Sequence, residues 1–353
     1  MALPDKVKEK IAIQVIRTLV ARFDNFPEDA ANNRNAPFHE AFLSAFSNKL
    51  EKNVSDIPFF ISLSSWMHGL NTTLGQTFFE NVAHHVSQGE KREYTSKRIG
   101  NLSITQTQRD HIGQIIADLS TSTKKPCLEI ENQKIFAHYD TAVINAMDFS
   151  ADVFIEDTNL ITAIELKSVK PNSGEMKGEK QKILEGKAAL FRKFPEKQIR
   201  FYMGFPFDST VDTKNESITN FNKFRFLGQI INMNKYFDSN ETLIASDLWD
   251  TLSGDVNTME QILKIINAVS TTDFLSKYQF LNENSNRNNL IYKNTLSEWY
   301  LMSELKLINN DVSLKQNIKN DKKLKRYYNK TAFDSKGNYN MDRYVELKKH
   351  ITK

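Results

Sequence analysis

Two acidic residues and a lysine near the middle of the chain have the types and spacing of a hydrolytic site. They are Asp152, Glu165 and Lys167, and they lie in the segment 151–167. A dozen residues separate the two acids, and a single leucine separates Glu165 from Lys167. Carboxylate oxygens are ligands for hard cations, and an ammonium group orients water or stabilises developing negative charge. Together these groups are typical of metal-assisted hydrolysis.

The surrounding sequence predicts that these side chains belong to one β-hairpin. Residues 151–156 and 160–167 are rich in apolar and β-branched residues, and Thr158 and Asn159 can form the turn. If the chain turns there, the numbers of facing residues sum to 317, so Asp152 lies opposite Glu165. Facing Cβ atoms are about 4.5–5.5 Å apart. A loop of odd length would place the two carboxylates on opposite faces instead.

The predicted pair of carboxylates favours a bound cation. Two carboxylates this close repel each other unless a cation lies between them. Mg²⁺ suits such a pair, since it is bound by one or two carboxylates and completed by water and phosphate oxygens. Lys167 shares a strand face with Glu165, where it can position a water and offset charge on a phosphate. The pattern therefore predicts metal-dependent phosphodiester hydrolysis.

A hairpin with charged ends is also compatible with a simple solvated rim, and the context decides between the two interpretations. The strand before Glu165 is apolar on both faces, which is typical of a central strand rather than an edge. The next predicted helix, over residues 175–194, is rich in lysine. Three of its residues are candidates for contact with phosphate: Lys180, Gln181 and Lys187.

The elements that would position these residues alternate between helices and strands. Apolar periodicity predicts helices over residues 4–24, 38–52, 74–88, 105–120, 175–194 and 256–269. Short β-branched and aromatic runs predict strands over 135–139, 151–156, 160–167 and 199–205. The order strand, strand, helix, strand predicts an α/β core with additional helical regions.

The segment Asp152…Glu165-Leu166-Lys167 resembles the active-site signature of the PD-(D/E)xK nuclease superfamily, with Ala151 where that signature often has proline. Residues 69–94 and 165–187 also resemble type II restriction endonucleases of the TdeIII type. The resemblance covers about a third of the chain and does not extend to the C-terminal third. It implies a restriction-endonuclease-like core, with a central mixed β-sheet flanked by helices. It also implies Mg²⁺-dependent cleavage of double-stranded DNA at a short palindrome of GGNCC type by a homodimer.

The resemblance also implies a role for an acidic residue outside the hairpin. Many nucleases of this superfamily supply an additional carboxylate from an N-terminal helix. Glu80 lies on the predicted 74–88 helix, away from its apolar stripe of Leu74, Phe78 and Val82. It is therefore a third candidate metal ligand beside Asp152 and Glu165, although a solvent-facing glutamate fits the pattern equally well.

Composition excludes several other classes of protein. The chain has 353 residues, 40% of them hydrophobic and 25% charged, so a large folded core is expected. The single cysteine, Cys127, excludes an internal disulfide and a cysteine-rich zinc site. The N-terminal residues lack the apolar core of a signal peptide, and no apolar run is long enough to cross a bilayer. We therefore expect a cytoplasmic protein without contact with a membrane.

Positive charge is concentrated at the C-terminal end. Residues 301–353 hold 13 Lys and Arg against 6 Asp and Glu, whereas the whole chain has a net charge of only +4. The densest part includes four candidates for contact with DNA phosphates: Lys322, Lys323, Lys325 and Arg326. We expect residues 1–270 to form the nuclease domain with its N-terminal helical part. Residues 271–353 would then form a basic helical region for DNA binding or dimerisation.

Two other functions remain compatible with the residues. A repair or recombination nuclease could use the same core to recognise DNA structure rather than sequence. A non-catalytic DNA-binding protein could retain the scaffold, although the intact acidic residues and lysine argue against this.

Overall fold

A five-stranded mixed sheet carries both strands of the acidic hairpin. The computed structural model describes residues 2–27, 41, 43, 46, 50, 57–167 and 175–351. The predicted helix over 38–52 lies almost entirely outside these residues. Among the described residues, no helix is both long and apolar enough to span a membrane.

The contacts divide the chain into two compact units. The first consists of Met1–Leu3 and Phe79–Gln261, and the second of Pro4–Phe78 and Ile262–Lys353. The prediction instead divided the chain once, at residue 270. The two groupings differ mainly because the contacts of helix α1 (Asp5–Phe23) place it in the same unit as the C-terminal helices. Glu9 of α1 accepts two hydrogen bonds of 2.6 Å from Ser303, one from its backbone N–H and one from its hydroxyl.

The first unit contains all the strands among the described residues. Its helices are α3 (Phe79–Ser87), α4 (Gln106–Ser120), α5 (Leu128–Ile135), α6 (Glu175–Lys193), α7 (Lys223–Gln229), α8 (Met233–Tyr236) and α9 (Ser246–Ser253). Its strands are β1 (Glu90–Tyr94), β2 (Ser103–Thr105), β3 (Val143–Asn145), β4 (Phe149–Glu156), β5 (Leu160–Leu166), β6 (Gln198–Phe205) and β7 (Thr242–Ile244). A 3₁₀-helix, Ser239–Glu241, precedes β7.

The main sheet has the strand order β1-β4-β5-β6-β7. The pairs β1–β4 and β4–β5 are antiparallel, whereas β5–β6 and β6–β7 are parallel. Strands β2 and β3 form a separate antiparallel pair. Because β5 lies in the middle of the sheet, its buried residues alternate between two covered faces, which explains why its sequence is apolar on both.

Helices cover both faces of this sheet. Helix α6 packs closely on one face at Gly186, where a Cβ atom would lie 2.7 Å from the Phe201 ring. The opposite face of β6 lies against α9, whose Leu248 side chain is next to Gly204. The chain therefore has the expected mixed α/β core, consistent with a restriction-endonuclease-like fold.

The regular elements of the second unit are helices among its described residues, and an isolated β-bridge joins Phe333 and Tyr339. Besides α1, it contains α2 (Ile57–Thr73), a π-helical turn (Leu74–Phe78), α11 (Phe274–Asn282), α12 (Leu290–Glu298), α13 (Met302–Asn309), α14 (Asp311–Asn317), α15 (Lys322–Asn329) and α16 (Met341–Leu347). Two 3₁₀-helices, Asn284–Asn288 and Lys348–His350, complete it. Helix α10 (Thr258–Val269) runs across the division between the units.

Most of the predicted elements are confirmed, but the strand predicted over 135–139 is wrong. Residues Leu128–Ile135 form helix α5, and residues 136–139 are irregular. The side chain of Glu131 accepts a hydrogen bond from the Cys127 backbone N–H, and Asp238 accepts one from that of Leu128. Beyond the helix, the Phe136 and His138 rings pack against Phe191, and the Tyr139 ring packs against His111. This aromatic run is therefore held by ring contacts and not by strand pairing.

Candidate active site

The β4–β5 hairpin brings Asp152 and Glu165 to the same end of the sheet. Val153 faces Ile164 and Phe154 faces Ala163, which is the register predicted from the sequence. Asp152 is 8% exposed and Glu165 is 6% exposed. The turn of even length therefore places both carboxylates in one partly buried site, and Lys167 follows directly after β5.

Asp152 is held at both its side chain and its backbone. Its Oδ2 accepts a hydrogen bond of 2.9 Å from the Leu166 backbone N–H. The Nε2 atom of His84, on α3, lies 2.6 Å from the Asp152 carbonyl oxygen. The first contact links Asp152 to the strand that carries Glu165, and the second links it to the helix that carries Glu80.

Only one of the two carboxylate oxygens of Glu165 contacts lysines. Its Oε1 lies 3.2 Å from Lys167 Nζ and 3.0 Å from Lys182 Nζ. Its Oε2 is buried and has no hydrogen-bond partner. Burial raises the pKa of Glu165, the negative charge of Asp152 raises it further, and the two lysines lower it. The unpartnered oxygen leaves this carboxylate with an acceptor available to a ligand.

Lys167 remains an ammonium group at neutral pH. Burial favours its neutral form, but the charges of Glu165 and Glu179 outweigh that effect and raise the pKa of Lys167. Its Nζ lies 2.8 Å from Glu179 Oε1, on helix α6. Glu179 also lies 3.5 Å from Lys182, so it holds both lysines close to Glu165. This arrangement suits electrostatic stabilisation better than proton abstraction by Lys167.

The predicted third carboxylate, Glu80, contacts the same lysine as Asp152. Lys91 Nζ is 3.3 Å from Glu80 Oε2 and 3.1 Å from Asp152 Oδ1. Burial and the charge of Asp152 raise the pKa of Glu80, although Lys91 opposes this. The structure therefore brings together Glu80, Asp152, Glu165 and Lys167.

The donor atoms at this site suit a hard cation with several water ligands. Within the described ranges, no group of three or more His, Cys, Asp or Glu side chains is arranged to enclose a metal ion. Mg²⁺ does not require such a cage, since one or two carboxylates and water suffice. Asp152 and the unpartnered Oε2 of Glu165 provide that oxygen set. The residues present therefore fit a divalent cation.

Two residues predicted to contact DNA are instead buried in an ion cluster. Lys180 is 0% exposed, and its Nζ lies 2.5 Å from both Glu131 and Glu241. Lys187 is 2% exposed and lies 2.9 Å from Glu241. A phosphate cannot reach either ammonium group, so these two predictions are corrected. The sequence could not distinguish the buried face of α6 from its exposed face, because both carry lysines.

The remaining predicted DNA contacts are accessible. Gln181 is half-buried, and its amide nitrogen lies 3.2 Å from the Met147 sulfur. In the second unit, α15 buries Leu324 against Leu307, Leu314, Ile318 and Leu347. The same helix exposes all four of its predicted basic residues: Lys322, Lys323, Lys325 and Arg326. The Asp321 side chain caps the helix by accepting from the backbone N–H groups of Lys323 and Leu324.

Three residues of the site were not predicted from the sequence: His84, Lys91 and Lys182. They come from α3, β1 and α6, so only the tertiary structure brings them to the hairpin. The three-residue spacing of Glu179 and Lys182 was the one local signal, because residues three apart share a helix face.

Two comparisons with known proteins identify relatives of this chain. Residues 3–270 match the family model described as "HinfI: Type II restriction endonuclease". The chain is also 39% identical to the type II restriction enzyme MjaII of Methanocaldococcus jannaschii, over 98% of this chain and 97% of that protein. The resemblance to the TdeIII type is not confirmed.

Proposed function

Because this chain belongs to the HinfI family of type II restriction endonucleases and is thus a site-specific endodeoxyribonuclease, we propose that Asp152, Glu165 and Lys167 form its catalytic centre. The observation that carries this proposal is the confirmed hairpin register, which brings both acids to one end of the sheet. The same membership argues against a structure-specific repair nuclease and against a non-catalytic DNA-binding protein.

Asp152 and Glu165 would hold a divalent metal, with Glu80 as an additional carboxylate. Type II restriction enzymes generally use a divalent metal, and we propose Mg²⁺ because all the candidate donors are oxygen atoms. When bound, the metal lowers the pKa of water and polarises the phosphate. The support from this chain is the partly buried carboxylate pair and the unpartnered Oε2 of Glu165.

Lys167 would position the attacking water and stabilise the negative charge that develops on the phosphate. Its ammonium group is kept charged by Glu165 and Glu179, so it acts without needing to lose a proton. Water attacks phosphorus in line with the 3′-oxygen, a new P–O bond forms, and the bond to the 3′-oxygen breaks. The water gives up a proton and the departing oxygen gains one, leaving a 5′-phosphate and a 3′-hydroxyl.

The exposed lysines and arginine of α15 would contact the DNA backbone. Four basic residues share this short helix, and none of them forms an ion pair with a described carboxylate: Lys322, Lys323, Lys325 and Arg326. Basic side chains in such a cluster neutralise phosphates without reading sequence. Gln181, which precedes Lys182 on α6, would be a further contact.

We propose a palindromic site of GGNCC type and a homodimeric enzyme acting in the cytoplasm. The site and the dimer rest on the resemblance of residues 69–94 and 165–187. A palindrome presents the same sequence on both strands, so a two-fold dimer can bind it with identical contacts. Digestion of a plasmid of known sequence, followed by sequencing of the fragment ends, tests both the site and the position of the cut.

Substitution of the three residues by alanine tests the catalytic assignment. Asp152→Ala, Glu165→Ala and Lys167→Ala should each reduce plasmid cleavage by roughly a hundredfold or more, since each removes a charge used in the transition state. Mobility shifts in EDTA should show that most of the DNA binding remains. Glu156→Gln changes a carboxylate at the other end of β4 and should stay active. A fully active Asp152→Ala protein would contradict the proposal.

A further inference from the structure

An irregular pairing of β1 and β4 places a lysine opposite the catalytic aspartate. Glu90 faces Phe154 and Arg92 faces Ala151, so Asp152 and Val153 together face the single residue Lys91. Such a β-bulge redirects side chains and is common next to active sites. The local backbone thus turns Lys91 and Asp152 towards one another.

Gly89 keeps the start of β1 close to this bulge. A Cβ atom at Gly89 would lie 2.9 Å from the Phe154 carbonyl oxygen and 3.0 Å from Val153 Cγ1. Any larger residue would push β1 away from β4. The position of Lys91 is therefore set by the backbone and not only by its flexible side chain.

Lys91 forms an ion pair with the carboxylate oxygen of Asp152 that does not accept the backbone hydrogen bond. Asp152 Oδ2 bonds to the Leu166 N–H, whereas Oδ1 lies 3.1 Å from Lys91 Nζ. The same ammonium lies 3.3 Å from Glu80 Oε2. Its contacts are thus to two of the carboxylates assigned above to the metal.

The exposure of these side chains makes the contact reversible. The side chain of Lys91 is 39% exposed, against 12% for Asp152 and 19% for Glu80. Lys91 can extend into water while the two carboxylates stay in place. Lys180, which also contacts two carboxylates, is 0% exposed and has no such route.

We propose that Lys91 is an exchangeable counter-ion, which holds Asp152 and Glu80 together in the metal-free enzyme and withdraws into solvent when a divalent cation binds. This inference rests on the metal site proposed above. Without a cation the two carboxylates would repel each other, so the lysine preserves the site until the metal arrives. A divalent cation with water ligands then needs the same Oδ1 atom, and the two occupants exclude each other.

This competition has a measurable consequence. The apparent dissociation constant of a ligand rises in inverse proportion to the fraction of protein that is free to bind it. If Lys91 occupies Asp152 about nine-tenths of the time, its removal should tighten Mg²⁺ binding about tenfold.

Calorimetric titration of the full chain with Mg²⁺, without DNA, tests the inference. Lys91→Met and Lys91→Gln should both bind Mg²⁺ about tenfold more tightly than the unmodified protein. Lys197→Met is the matched control, since Lys197 pairs at 2.9 Å with Glu156, a carboxylate of the same strand outside the site. Its affinity for Mg²⁺ should not change. Unchanged or weaker binding by both Lys91 variants would overturn the inference.

Thermal melting separates competition from a structural role. In EDTA the Lys91 variants should melt at a lower temperature than the unmodified protein, and saturating Mg²⁺ should close the gap. A lysine with a purely structural role would lower the melting temperature equally in both conditions. Asp152→Asn distinguishes the two proposals, because if it binds Mg²⁺ normally the proposed metal site itself is wrong. If it loses binding while the Lys91 variants bind no more tightly, only the role of Lys91 is wrong.

Discussion

The carboxylate that the sequence marks most clearly, Glu165, has a pKa set by its burial and by the charges of its neighbours. Burial and Asp152 raise its pKa above the ordinary value of 4.5, and Lys182 and Lys167 lower it. Metal binding needs the ionised form, because a protonated carboxyl group is a poor ligand for a hard cation. If Glu165 holds the metal as proposed, the pH range of metal binding reports on the lysines around it.

We predict that Mg²⁺ affinity declines on acidification at a pH above 4.5, and that Lys182→Met moves this decline to higher pH. Because its pKa is raised, Glu165 stays protonated up to a higher pH than an ordinary glutamate. Loss of the nearby Lys182 cation raises that pKa further, so the decline moves to higher pH. Calorimetric titrations with Mg²⁺ from pH 4.5 to 7.5, a range of about three units chosen around the carboxyl pKa values, check this. A decline that is identical in Lys182→Met and the unmodified protein would contradict it.

A second prediction at this scale concerns His84, which contacts the backbone of Asp152 rather than its carboxylate. His84→Ala should lower the rate of cleavage by roughly twofold to tenfold, as expected for loss of a hydrogen bond worth about 0.5–1.5 kcal/mol. The loss should appear in kcat, because the contact positions Asp152 and does not bind DNA. His84→Gln retains a side-chain donor and should recover part of the activity. A loss confined to KM would exclude the positioning role.

At the scale of elements, the sequence predicts the hairpin well and its surroundings poorly. The register of β4 and β5 follows from local alternation and an even turn, so the pairing of Asp152 with Glu165 is predictable from the sequence alone. Strand β1 was not predicted, since its residues Glu90–Tyr94 are mostly charged and gain their pairing only from β4. Lys91, Lys182 and the burial of Lys180 depend on contacts between distant segments, which no local pattern contains.

Helix α6 links two charge clusters, and this arrangement makes a prediction about stability. Lys182 contacts Glu165 and Glu179 at the proposed active site, while Lys180 and Lys187 enter a buried cluster with Glu131 and Glu241. Burial disfavours ionisation of Glu241, yet Lys187 and Lys180 lower its pKa to about 2. The cluster thus anchors the helix that positions the lysines of the site.

Removal of one buried cation from this cluster should strongly lower the free energy of unfolding. Lys180→Met leaves Glu131 and Glu241 short of a partner and should lower the free energy of unfolding by about 3–5 kcal/mol. Lys182→Met, two residues along the same helix and partly exposed, should lower it by less than about 1 kcal/mol. Urea denaturation followed by circular dichroism measures both. Equal effects of the two substitutions would show that the cluster is not a structural anchor.

For the whole molecule, the charges of the proposed catalytic centre and those of the proposed DNA contacts lie in different units. The carboxylates and lysines of the site lie in the first unit, whereas α15 presents its basic cluster in the second. The small net charge of +4 conceals this division. The charge gradient is evident in the sequence, and the structure adds that Leu324 faces inward and leaves the basic side chains accessible.

The basic cluster of α15 should govern the salt dependence of DNA binding. Each neutralised phosphate contributes about 0.9 to the slope of log K against log salt concentration. Alanine at Lys322, Lys323, Lys325 and Arg326 should therefore reduce that slope by up to about 4 for each bound subunit. Lys315→Ala is the control, because Lys315 lies 2.7 Å from Asp311 and its charge is already compensated. Mobility shifts at several salt concentrations, in EDTA, provide the slopes. An unchanged slope would remove α15 from the DNA interface.

The number of active sites leads to a final prediction about assembly. Within the described residues, one chain presents one Asp152–Glu165–Lys167 site, whereas a double-strand break requires two phosphodiester bonds to be hydrolysed. In a homodimer each subunit cuts one strand, so a dimer of one active subunit and one Asp152→Ala subunit should only nick supercoiled plasmid. Two differently tagged copies, expressed together and purified through both tags, give that mixed dimer. If the enzyme acts as a monomer, no doubly tagged species will be recovered, and a mixture of the two proteins will linearise the plasmid as fast as its active fraction allows.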